Sequence, residues 1–122
     1  MEKWTIHDHI GLLYLFQLRI GLSPLRSHKT RHNFTDTPSD TCRCNQGVED
    51  THHFIFFCPT FSTQRATLVT SVNEVLLKNN LSHLGNELQL YLYGHDSIDY
   101  VDNRRIIIST LKYIKDSNRF SI

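Results

Sequence analysis

Cys42, Cys44 and Cys58 are the only cysteines of the chain, and His52 and His53 lie between the second and the third. Thiolates and imidazoles are the donors that a tetrahedral zinc ion prefers, and structural sites take four of them. Either histidine completes the set. With His53 the pattern is Cys-x-Cys-x8-His-x4-Cys. A disulfide framework fits poorly, because three thiols leave one unpaired and Cys42 and Cys44 are too close in sequence to bridge without strain. Four protein ligands leave no open position for water, so the implied ion is structural Zn2+. A zinc hydrolase, whose general base would have to be Glu49 or Asp50, is disfavoured on the same ground. The competing reading is a group of ordinary buried cysteines beside an aromatic core of Phe54, Phe56 and Phe57.

The ligands need a chain that returns on itself. Asn45-Gln46-Gly47 supplies a turn, with Gly47 free to take positive φ. Asp50 can cap a short helix beginning at Thr51, which places His53 in its first turn. Five residues on, Cys58 is rotated by about 140° on a regular α-helix, so a regular helix cannot aim both at one ion. Cys58 is therefore expected where the helix ends, as Pro59 indicates.

Around this segment the pattern is helical. Residues 7–20 read as a helix closed by Gly21 and Ser23-Pro24. Residues 21–41 are mostly loop, with a short helix near Pro24 to Arg31. Pro59 with Thr60 or Ser62 opens a helix in which Leu68, Val69, Val72, Val75 and Leu76 share a face until Asn79-Asn80. Glu87 to Tyr93 alternates and fits strand or helix. Asp102 can cap a last helix on which Ile107, Thr110, Leu111 and Ile114 align. The expected fold is mainly α, with few or no strands and a small zinc knuckle (a Cys-x-Cys loop plus a short helix) between helices. Its parts are an N-terminal helix and basic loop (1–35), the knuckle (36–60) and a C-terminal helical segment (61–122), within one small domain. The run Ile10 to Ile20 is too short and polar to span a bilayer. Being apolar almost all round, it is expected to be covered on more than one face.

Composition adds bounds. A chain of 122 residues with 39% hydrophobic and 20% charged residues and a net charge of +1 has the profile of a soluble globular segment with a modest core. The first residues carry no secretory signal, so a reducing intracellular setting, cytoplasm or nucleus, is expected. Between His9 and Thr35 there is no acidic residue, while Arg19, Arg26, Lys29 and Arg31 are present with His28 and His32. Such a patch is a candidate contact for phosphates of RNA or DNA, or a solvated loop. Arg19 has an alternative, satisfying helix-end carbonyls. Arg104 and Arg105 read as the exposed face of the last helix.

Two stretches together, "LFQLRIGLSPLRSHKTRHNF" and "CRCNQGVEDTHHFIFFCPTFSTQR", resemble the C-terminal zinc-binding segment of reverse transcriptases from non-LTR (LINE-type) retrotransposons. The matching positions are Leu18-Arg19-Ile20-Gly21, Cys42, Cys44, Asp50-Thr51, His53-Phe54-Ile55, Cys58-Pro59 and Arg65. The resemblance covers about residues 9–78, and the stretch from Leu92-Tyr93-Gly94 to Arg119-Phe120 is similar to the extreme C-terminus of some such polymerases. It implies His53 rather than His52 as ligand, and a CCHC knuckle that helps hold template RNA or target DNA. It also implies a non-enzymatic piece of a larger polymerase: the nearest string to a metal-binding palm motif, Tyr100-Val101-Asp102-Asn103, lacks its second aspartate and follows the zinc motif. The alternative is a zinc-stabilised protein-interaction module that uses the apolar helix 10–20 as its docking surface.

Overall fold

The structure, a computed structural model, describes residues 9–33 and 39–120. Helix α1 (His9–Ile20) ends where Gly21 turns left-handed at φ 77° and the Leu22 N–H reaches back to the Gln17 carbonyl at 2.9 Å. This is the six-to-one bond of a glycine-terminated helix. Residues 7 and 8, the start of the expected helix, lie outside the described residues. The short helix α2 (Arg26–Arg31) follows. Beyond the cysteine segment, Pro59–Phe61 form a tight turn into α3 (Ser62–Lys78), which closes with the Leu81 N–H on the Leu76 carbonyl at 2.8 Å.

The ambiguous alternating stretch is helix α4 (Leu88–Tyr93). Leu90, Tyr91 and Leu92 are buried in succession, which a half-buried strand, with its period of two, does not permit. Gly94, at φ 77°, ends it. A Cβ there would lie 2.5 Å from Asn103 Oδ1, the atom that accepts the His95 N–H at 2.8 Å. Helix α5 (Tyr100–Asp116) begins one residue after its cap, and that cap is Asp99, not Asp102 as the sequence suggested. Asp99 has the extended backbone a cap requires, and its carboxylate accepts the Asp102 N–H at 2.8 Å. Asp102 sits buried in the first turn. There the Asn79 amide and the Lys78 ammonium hold its carboxyl below the usual range. Arg105 is exposed as expected, near Glu74 and Asp102, whereas Arg104 is half-buried.

Helix α5 is the spine on which α1, α3 and α4 pack. Leu15 and Leu18 from α1, Leu68, Val72 and Leu76 from α3, and Ile106, Leu111 and Ile114 from α5 belong to one buried cluster. Thr110 of α5 donates to the Tyr91 carbonyl of α4 at 2.8 Å, tying the two helices inside it. The fold is mainly α: among the described residues the β structure is a single antiparallel bridge, Thr41 with Val48. One expectation fails. Helix α1 is covered on one face only, leaving Ile10, Leu13, Phe16 and Ile20 about half exposed. Helices α4 and α5 take the Leu15–Leu18 side, and among the described residues no element covers the other. Among the described residues no helix is long and apolar enough to cross a membrane.

Candidate metal centre

The cysteine loop turns back as its composition requires. The Cys42 N–H bonds to the Gly47 carbonyl at 2.7 Å and the Asn45 N–H to the Cys42 carbonyl at 2.9 Å, with Asn45 and Gly47 both at positive φ. Asp50 Oδ1 then accepts the His53 N–H at 2.8 Å, the expected cap. The next turn is not a regular α-helix. His53–Phe57 form a π-turn, closed by the Cys58 N–H on the His53 carbonyl at 2.8 Å. In this wider i→i+5 turn the residue five along stands over the first. The 140° offset of a regular helix is therefore much reduced, and His53 and the extended Cys58 that follows the turn face the same point. Two groups on other helices support the widened turn. Arg65 of α3 donates to the carbonyls of Ile55 (3.0 Å) and Cys58 (2.6 Å), and the Tyr113 hydroxyl of α5 donates to that of Phe54.

The ligand atoms of Cys42, Cys44, His53 and Cys58 all lie within 4.8 Å of one another. Cys44 Sγ is 3.3 Å from His53 Nε2, and Cys42 Sγ is 3.7 Å from Cys58 Sγ. Donors arranged tetrahedrally at zinc bond lengths stand about 3.5–3.8 Å apart. The cluster could hold a metal ion. His52 is exposed, its ring against Phe56 and Phe57, so the fold brings His53 and not His52 to the sulfurs. Of the three phenylalanines, Phe54 is buried, Phe56 half-buried and Phe57 exposed.

Burial pushes the Cys42 thiol up to about 12, with hydrogen bonds among the three thiols adding to it. Cys44 is half-buried, and burial works against its ionisation. The Gln46 N–H and the neighbouring thiols outweigh that effect and lower its pKa. A metal ion has to displace these protons, so its binding weakens as pH falls.

Two interactions beside the cluster join residues that sequence reasoning did not single out as partners. The Glu49 carboxylate is buried and takes two hydrogen bonds from the Arg119 guanidinium, both at 2.6 Å, while its Oε1 also accepts the Arg26 N–H at 2.8 Å. Burial alone would raise the Glu49 pKa, but the Arg119 and Arg26 hydrogen bonds prevail and lower it. His28 is buried as well. Its Nδ1 accepts the Ser23 N–H at 3.1 Å, and Nε2 lies 3.3 Å from Thr51 Oγ1, so the ring is neutral and ties α2 to the segment that enters the π-turn. Burial, reinforced by nearby Arg31, lowers its pKa. Glu49 and Arg119 lie 70 residues apart, and no local pattern marks either.

No family model, curated protein or solved structure matches the chain.

The four basic candidates separate. Arg19 Nε donates to the Leu92 carbonyl at 2.6 Å and its guanidinium lies 4.8 Å from the Tyr93 ring centroid, which fits the carbonyl-satisfying alternative. Arg26, Lys29 and Arg31 all lie on α2; the first two are half-buried and Arg31 is exposed. The Arg26 N–H and the Ser27 N–H both bond to Glu49, which fixes α2 beside the cysteine loop.

Proposed function

We propose that the chain is a non-catalytic, nucleic-acid-contacting module built around one structural zinc ion. It would be of the kind found at the C-terminus of non-LTR retrotransposon reverse transcriptases, where it helps hold template RNA or target DNA. The observation that carries the zinc assignment is the convergence of three sulfurs and one imidazole nitrogen within 4.8 Å from a loop and a π-turn. This all-Cys/His donor set suits zinc, and four protein ligands suit a structural role. Arg26, Lys29 and Arg31 supply the phosphate contacts from α2, held next to the metal loop through Glu49.

A second reading is favoured by a separate observation. Ile10, Leu13, Phe16 and Ile20 form a half-exposed apolar stripe on α1, the surface that a protein-interaction module would use.

Native mass spectrometry of the wild type and of Cys44→Ser, followed by titration with single-stranded RNA and DNA, separates these readings. One zinc per wild-type chain is expected, lost in the mutant along with nucleic-acid binding. Three phosphate contacts would weaken binding about 20- to 40-fold between 50 and 200 mM salt, and Ala at Arg26, Lys29 and Arg31 would flatten that slope. Zinc without nucleic-acid binding would favour the protein-interaction reading, and the absence of bound metal would overturn both.

A further inference from the structure

The turn that stacks His53 on Cys58 also stacks the pair one step earlier. His52 and Phe57, again five residues apart, have ring centroids 5.0 Å apart, and Phe56 lies 5.2 Å from His52. Phe56 is anchored inward by an edge-on contact with buried Tyr91 at 5.0 Å. Phe57 has no such anchor among the described rings and is 60% exposed, with His52 exposed beside it. The three rings line an open groove of about 700 Å3. Asn73, Asn86 and Ser82 also line it, Arg65 adds a positive charge, and among the described residues no acidic side chain lines it.

Exposed aromatic faces next to primary amides are what an unstacked nucleobase requires. Its π-face stacks on a ring, and its edge meets groups that both donate and accept. Asparagine is well suited to such an edge because its amide presents a donor and an acceptor side by side. The mixed lining suits a base better than an apolar peptide anchor, which would cover the two asparagine amides and Ser82 without giving them hydrogen-bond partners. We infer that this groove holds a base of a single-stranded nucleic acid, stacked on Phe57 and His52. The same inference makes the metal the organiser of this aromatic wall, because His53 and Cys58 fix the turn that carries it. This rests on the reading of the chain as a nucleic-acid module, but it places base recognition on residues other than the phosphate contacts of α2.

The test uses the zinc-loaded protein and two fluorescent probes: a short oligoadenylate and a base-free sugar-phosphate strand of the same length. Wild type is expected to prefer oligoadenylate. Phe57→Ala and Phe57→Leu should each weaken oligoadenylate binding about 5- to 150-fold while leaving the base-free affinity and the zinc content unchanged, and Phe57→Trp should retain tight binding. Should Phe57→Ala lose its zinc, the same comparison on His52→Ala decides. Equal affinity of wild type for the two strands, with normal salt dependence, would overturn the base groove and leave the phosphate reading standing. Failure to bind either strand would overturn both.

Discussion

Glu49 is the residue on which most local structure converges, since its carboxylate receives Arg119 and the Arg26 N–H while its carbonyl receives the Ser27 N–H. A buried charge that loses its partner is left desolvated and uncompensated, at a cost of about 3–5 kcal/mol. Arg119→Ala should therefore destabilise the protein by about that amount, and Arg119→Ala with Glu49→Gln by less, as read from denaturant midpoints at neutral pH. Larger loss in the double variant would show that the pair is not what Glu49 needs. The same group shapes the acid limb. Its folded pKa is depressed, so its stabilisation is complete above the unfolded value of about 4.3 and disappears as pH falls through the folded value. Glu49→Gln should flatten that part of the curve. The candidate metal ligands were legible in the sequence because their chemistry belongs to residue type, whereas the Glu49–Arg119 pair depends on a contact that only the folded chain creates.

At the scale of elements, the π-turn is the decisive piece. Inserting one alanine between Phe57 and Cys58 would rotate the thiol by roughly 100° about the helix axis. Metal stoichiometry measured by native mass spectrometry should fall from one to zero, while a chain that kept its zinc would show that the turn can refold around the insertion. Helix α3 was readable from its apolar spacing, and the stop of α1 from Gly21. The π-turn was not, because it depends on Arg65 and Tyr113 from distant helices reaching carbonyls of the turn and its end. Asp102 was misread as a cap for a related reason: Asp99 and Asp102 are the same residue type three apart, and only packing against Lys78 and Asn79 puts the second one inside the helix.

For the whole molecule, a structural zinc ion in the cluster would supply about 10–16 kcal/mol of apparent binding energy, against a net stability of about 5–15 kcal/mol for a domain. With zinc bound as proposed, chelation should unfasten the chain unevenly, since α3 and α4 each pack on α5 as well as on the segment that carries the cysteine–histidine cluster. After metal removal, hydrogen exchange is expected to accelerate at the amides of Gln46, Phe54 and Cys58 while the centres of α3 and α5 stay protected. Uniform acceleration throughout would instead mean that the whole core depends on the ion.

The pairing of Glu49 with Arg119 also sets an order of events during synthesis. All four candidate metal ligands have been translated by residue 58, whereas Arg119 follows Glu49 by 70 residues, about 4 to 14 s at ordinary ribosomal speed. Under the zinc reading, a nascent chain would thus have its whole donor set before the guanidinium that neutralises Glu49 exists, and in that interval the carboxylate beside the cysteine loop would lack its Arg119 partner.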